Sequence, residues 1–389
     1  MNGDHTDTLL AYRQQFPILA ERTYLASQCV GPFPRAAHAD IEDYLRTRHL
    51  HNRALGEWFT RIGECARLIE RLLDAPAGSI ALRDNATASQ AAVLASVSPF
   101  PAKNRIVVTE LDFHSSLHLY SAQRRRGFDL HVVRSRDGMR IHADDVVAAI
   151  DDRTAFVSVS LVSRYNAMLD IVPVITRARE VGAIVVVDAY QAVGVVPLDV
   201  TNLQVDVLVA GTHKWLSGET GLAFLYVRPE LAERLNPVYP GWFGHQDLDG
   251  FVHVHAFDDV YRPMPGARRF QQGTPSMLSI YGSLAGLRFV LAAGVERIRQ
   301  RNVELTECLM QGAADLGLDV MTPRASEQRA GGMCVKVPNP EQVVNRLAML
   351  GIDVDQRRNT VIRVAPHACT TNDECDHFLH ELARVLDEA

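Results

Sequence analysis

Residues 184–227, IVVVDAYQAVGVVPLDVTNLQVDVLVAGTHKWLSGETGLAFLYV, decide the fold. The apolar run Ile184-Val185-Val186-Val187 ends at Asp188, with Gln191 following. A second run, Val205 to Ala210, ends in Gly211-Thr212-His213-Lys214. A third, Leu222 to Val227, follows Gly218 and Gly221. Short apolar runs bounded by turn residues read as buried strands of an α/β sheet. Polar residues at the carboxyl ends of such strands are where α/β proteins hold ligands. An Asp at one strand end and a Lys at another suit a cofactor with a basic ring nitrogen and an aldehyde. Pyridoxal 5′-phosphate is such a cofactor: a Lys forms its Schiff base and an Asp pairs with its ring nitrogen.

The stretch resembles the class V aminotransferase family, which includes cysteine desulfurases and kynureninases. The family's Asp-x-x-Gln/His and His/Tyr-Lys pairs match Asp188, Gln191, His213 and Lys214. The resemblance implies a fold-type I α/β architecture with a mostly parallel, seven-stranded sheet and a smaller C-terminal α+β domain. It also implies a homodimer with active sites at the subunit interface. Lys214, Asp188 and His213 are the catalytic candidates, Gln191 would hydrogen-bond the cofactor's phenolic oxygen, and Thr212 would also touch the cofactor.

Composition is that of an ordinary soluble globular chain: 389 residues, 47% hydrophobic and 22% charged. The length suggests two domains. A net charge of −6 gives no polyanion footprint, so nucleic acid is not an expected partner. The six cysteines form no CxxC pair, which excludes a zinc ribbon or a disulfide framework, and no metal site is expected. No apolar run is long enough for a bilayer and the start lacks a basic-then-apolar leader, so the expected location is cytoplasmic.

Along the chain, residues 1–30 form an N-terminal segment expected to pack on the small domain, 31–265 the large domain and 266–389 the small one. The first 22 residues read as a helix-forming lead-in, and Arg22 to Leu25 as a short strand followed by the turn Ala26-Ser27-Gln28-Cys29-Val30-Gly31. Pro34 to Leu50 and Glu64 to Leu73 read as helices. Between them, the spacing from His51 to Trp58 is similar to that in kynureninases, which makes His51 a substrate candidate.

Ile80-Ala81-Leu82 runs through Arg83-Asp84-Asn85-Ala86-Thr87 into an alanine-rich helix. The unpaired N–H groups and dipole of such a helix start favour an anion. Family members hold the cofactor phosphate at this turn, which assigns Ala86 and Thr87. The strand Arg105 to Val108 leads to Phe113, which the resemblance places over the pyridine face. Ser116 stands where kynureninases carry an Asp.

Thr154 to Val162 is a further strand. Gly241-Trp242-Phe243-Gly244-His245 and Gly273-Thr274-Pro275 match kynureninase and family elements, in which Trp242 and Thr274 would reach the phosphate of the neighbouring subunit. The C-terminal part reads as helices Tyr281 to Leu291, Val295 to Leu316, Glu341 to Leu350 and Asp373 to Leu386. Strands are expected at Leu318–Met321, Met333–Val337 and Val361–Val364. In Ile362-Arg363-Val364-Ala365-Pro366, Arg363 would bind the substrate α-carboxylate by a bidentate ion pair.

Three reactions fit: cleavage at Cβ, transamination or a decarboxylating or oxidative variant, and cysteine desulfuration. Cβ cleavage would be kynureninase-like hydrolysis or β-elimination from a cysteine conjugate. His213 and Thr274 depart from the kynureninase pattern of Tyr and Asn. For desulfuration, neither Cys334 nor Cys369 stands where the family's nucleophile does.

Overall fold

A computed structural model describes residues 8–49, 54–246, 260–357 and 360–388. Its centre is a seven-stranded sheet of β2 (Ile80–Arg83), β3 (Arg105–Thr109), β4 (Asp129–Val133), β5 (Thr154–Ser160), β6 (Ile184–Asp188), β7 (Val207–Gly211) and β8 (Ala223–Val227). The order is β2-β8-β7-β6-β5-β3-β4. Strands β4, β3, β5, β6 and β7 are mutually parallel. β8 runs antiparallel to both β7 and β2. A parallel neighbour needs a long crossover, whereas an antiparallel one can return through a short loop. The link from β7 to β8 is such a loop, and Lys214 sits in it.

The apolar runs are continuous because both faces of the sheet are covered. Val185 and Val187 of β6 enter one core, with Leu208 and Ala210 of β7 and Phe224 and Tyr226 of β8. The intervening Val186, Val207, Val209, Leu225 and Val227 enter the core on the other face. This is the period-two alternation of a strand with no solvent face.

A third core, from Leu25 through Met333, Val335, Ile362 and Val364 to Phe378, belongs to the C-terminal part. Its three-stranded antiparallel sheet has the order β11-β12-β9: Asp355–Arg357, Val361–Val364 and Met333–Lys336. The N-terminal strand β1 (Thr23–Tyr24) pairs in parallel with β10 (Ile352–Asp353), and Ala26 bridges Ala365. The helix Met277–Ala293 buries nearly its whole circumference in the first core. No single described helix is long and apolar enough to cross a membrane.

Several boundaries differ from the sequence reading. The second helix runs Ala54–Leu72, starting ten residues earlier than expected, because the apolar spacing of Trp58, Phe59, Ile62, Cys65 and Ile69 continues upstream of Glu64. Leu318–Met321 is not a strand. Leu318 N–H donates to Ala313 O as the preceding helix closes, and although Met321 N–H donates to Cys334 O and Asp319 O accepts the Lys336 N–H, only Val320 forms a bridge, with Val335. The short β10 and β11 carry too few residues to show a period and were not expected.

The Lys214 loop rests on the Met277–Ala293 helix at Gly286. A Cβ built there would lie 2.1 Å from Leu216 O and 2.6 Å from Ser217 O. Overpacking of this kind costs about 1–3 kcal/mol. Gly286→Ala is therefore expected to lower Tm in a thermal melt. A melt coincident with wild type would show that the loop does not depend on this close approach.

Candidate active site

A cleft of about 700 Å³ opens at the carboxyl ends of the parallel strands. That is the size of an ordinary small-molecule site. Of the residues singled out in the sequence, Lys214, Asp188, His213, Gln191, Ala86, Thr87, Phe113 and Arg363 all line it. They come from five separate segments of the chain, so the fold, not local sequence, brings them together.

Lys214 is at the centre. Its Nζ lies 4.5 Å from the centroid of the Tyr190 ring and 5.9 Å from that of Phe113. Burial depresses its pKa to about 8, against the pull of Asp188, and Arg363 and Arg357 push the same way as burial. Asp188 ends β6, where its Oδ1 accepts the Tyr190 N–H at 3.0 Å. Burial raises the Asp188 pKa, and Lys214 opposes that rise. His213 Nδ1 is 3.1 Å from Tyr190 Oη. Burial, then Lys214, lowers the His213 pKa, which keeps the ring neutral at pH 7. Burial raises the Tyr190 pKa, so its hydroxyl stays protonated.

The start of the Ala86–Ala95 helix forms one wall. Asn85 caps it by accepting the Ala88 N–H at 2.8 Å. The first-turn N–H groups of Ala86 and Thr87 lack intrahelical acceptors by geometry, and both residues line the cleft. Phe113 forms the opposite wall with 55% of its surface exposed. Its loop is anchored by Asp112, which sequence reasoning missed. The Asp112 carboxylate accepts the N–H of Thr109 and of Ser160, each at 2.7 Å, and so ties the ends of β3 and β5 together. Full burial nevertheless pushes its pKa up to about 6. Ser116, where kynureninases carry Asp, accepts the Gln90 side-chain amide at 2.9 Å.

The third wall comes from the N-terminal turn and the C-terminal three-stranded sheet. Gly31 N–H donates to His213 O at 2.8 Å, and Gln191 Nε2 donates to Gln28 O at 3.0 Å. Arg363 is 3% exposed. Its Nε donates to Asp355 Oδ2 at 2.8 Å, and its Nη2 donates to the same oxygen and, at 3.3 Å, to Cys29 Sγ. Burial opposes ionisation of Asp355, but the Arg363 charge and hydrogen bond outweigh it and hold the carboxyl below its usual range. Burial raises the Cys29 thiol, with Arg363 opposing. The antiparallel register Asp355↔Arg363 makes this ion pair, and since β11 was not expected, neither was Asp355.

Three expected contacts do not line the cleft, and a fourth falls outside the described residues. The Thr212 side chain is turned away from the cleft. Its hydroxyl donates to Glu219 O at 2.8 Å and accepts from Ser283, so its part is to shape the Lys214 loop. Trp242 is half-buried against Phe243 and Thr274 is exposed, and neither lines this chain's own cleft. His51 lies outside the described residues. No group of three or more metal-ligating side chains occurs among the described residues.

The sequence profile of the aminotransferase class-V family matches residues 23–370. The chain belongs to that family. An uncharacterized aminotransferase, YcbU, of Bacillus subtilis is 30% identical over 373 residues, covering 96% of each chain. A kynureninase of Geobacillus thermodenitrificans is 25% identical over 99% of this chain and 93% of its own length. The fold is shared with the apo cysteine desulfurase of Thermococcus onnurineus, with a TM-score of 0.85, 22% identity and coverage of 97% and 98% of the two chains. The protein is thus an enzyme of the class V aminotransferase fold.

The depressed Lys214 sets a pH dependence. The neutral amine is the nucleophile toward an aldehyde, and its fraction grows as pH rises through about 8. Condensation of cofactor-free protein with pyridoxal phosphate is expected to accelerate roughly five-fold between about pH 7 and 8 and to level off above about pH 9. A rate flat across that range in stopped-flow absorbance would show that Lys214 titrates elsewhere.

Proposed function

We propose that the cleft holds pyridoxal 5′-phosphate on Lys214 and acts on an L-amino acid by cleaving a bond at its β-carbon. The donor set fits the cofactor. A buried amine with a lowered pKa faces it, a buried carboxylate closes one strand end, an open aromatic ring forms one wall, and a helix start suits the phosphate. Bound there, the cofactor supplies an electron sink for charge developing at the substrate Cα. Ala86 and Thr87 would hold its phosphate, Phe113 would stack on its ring, Asp188 would pair with its ring nitrogen, and Gln191 would meet its phenolic oxygen. The residues do the rest. Lys214, basic near neutral pH, takes the Cα proton. Arg363 anchors the α-carboxylate.

The observation that carries Cβ cleavage is the Tyr190–His213 pair. A protonated phenol hydrogen-bonded to a neutral imidazole, beside Lys214, can deliver a proton to a group leaving Cβ and then regain it. Transamination needs no such relay. It is the second reading, favoured by the name of the Bacillus relative. Desulfuration has less support, since Cys334 is buried with its thiol 3.7 Å from Arg164 O, and Cys369 is buried against Leu9. A second copy of the chain would add Trp242 and Thr274 to the site. Val238 and Tyr239, just before Trp242, are exposed apolar residues that such a copy would cover.

Lys214→Ala is expected to abolish the visible absorption that the wild-type protein gains with pyridoxal phosphate, and retained absorption would refute the assignment. Incubation with kynurenine, 3-hydroxykynurenine and cysteine S-conjugates, with products identified by mass, separates the reactions. Anthranilates indicate hydrolysis. Thiol with pyruvate and ammonia indicates β-elimination. A keto acid retaining its side chain indicates transamination and would overturn Cβ cleavage. Tyr190→Phe is expected to lower kcat for Cβ cleavage roughly 100-fold with cofactor absorption unchanged. An unaltered kcat would remove Tyr190 from the relay.

A further inference from the structure

The turn that leads into Gly31 holds a buried donor that no described residue uses. Gln28 is 1% exposed and lines the cleft. Its Oε1 accepts the Asn166 side-chain N–H at 3.2 Å, and its backbone oxygen accepts Gln191. Its Nε2 has no hydrogen-bond partner among the described residues. A buried amide N–H left unmet is costly, and such groups in native proteins call for an explanation.

Two features fix the direction of that donor. Asn166 is itself locked, with a left-handed φ of 61°, 3% exposure and its backbone oxygen accepting the Ala330 N–H at 2.9 Å. The Gln28 amide also lies against the C-terminal sheet. A Cβ built on Gly332 would meet Gln28 Oε1 at 3.0 Å and Val364 O at 2.9 Å. The next residue, Cys29, touches Arg363. Gln28 therefore flanks the end of β12 that presents Arg363. Arg363 commits Nε and Nη2 to Asp355, and its Nη1 makes no hydrogen bond among the described residues. The guanidinium is thus partly neutralised, with one edge left for a ligand.

We propose that Gln28 Nε2 and Arg363 Nη1 together form the seat for the substrate carboxylate, with Gln28 a specificity-determining residue. The inference rests on the reading of Arg363 as carboxylate anchor. An ordinary arginine site grips a carboxylate with both arms of the fork. Here Asp355 already occupies one side of the fork, and the neutral, pre-oriented Gln28 amide supplies the second donor.

The test compares the cofactor-loaded wild type with Gln28→Met and Gln28→Glu. Gln28→Met keeps the length and removes the donor. Gln28→Glu keeps an acceptor for Asn166 and turns the donor into a like charge. The ligands are whichever of the twenty common L-amino acids binds wild type most tightly, and the α-amide of that amino acid. Dissociation constants are read by calorimetry and by the change in visible absorption. Gln28→Met is expected to weaken the amino acid about ten-fold and Gln28→Glu at least as much, with the amide altered less than about two-fold in both. Equal weakening of acid and amide, or none, in both variants overturns the role of Gln28 alone. Wild-type protein that binds acid and amide alike overturns the carboxylate seat itself, and with it the Arg363 reading.

Discussion

The site depends on how closely the N-terminal turn approaches the Lys214 loop. Gly31 donates its N–H to His213 O, and a Cβ on Gly31 would fall 2.0 Å from Lys214 O. Only a residue without a side chain fits against that carbonyl. The same turn pairs Ser27 N–H with Ala365 O and offers Gln28 O to Gln191. Six residues thus join the lysine loop, the Asp188 segment and the C-terminal sheet. Each is rigid in its own core, and the turn sets their relative placement.

The cleft balances charge with little to spare. Lys214, Arg357 and Arg363 bring positive charge, Asp188 and Asp355 negative, and burial strengthens the interactions of Lys214, Asp188 and Arg363. The lysine is pushed toward neutrality while Asp188 is made reluctant to ionise. A cationic ring nitrogen against Asp188 and an anion at the Ala86–Ala95 helix start would relieve these tensions. The polypeptide holds the groups in a costly arrangement that a complementary charged ligand stabilises.

Much of this was legible in the sequence because sheet strands buried on both faces leave unmistakable runs, and chemistry collects where the runs stop. Asp188, His213 and Lys214 were visible for that reason, and so was the helix start at Ala86. Asp355 and Gln28 were not. Asp355 acts through the cross-strand register of a three-residue strand, which leaves no periodic signal. Gln28 acts through a side-chain amide whose direction depends on Asn166, far along the chain. Thr212 shows the converse error. It stands next to His213 and Lys214, which line the cleft, yet the tight loop turns its hydroxyl inward to two backbone carbonyls. Linear adjacency carries no information about direction once the chain leaves a strand.

The Asp355–Arg363 pair also bears on how long a ligand stays. A carboxylate arriving at Arg363 shares a guanidinium that is never without a counter-charge, so each departure leaves the arginine still paired. Escape then exposes no bare buried cation, and the barrier to leaving is lowered along with the depth of the well. Since most variation in affinity is expressed in dissociation, this favours short residence. On the proposed reading of Arg363 as carboxylate anchor, the clip would work as a built-in release for acids that share the substrate's carboxylate.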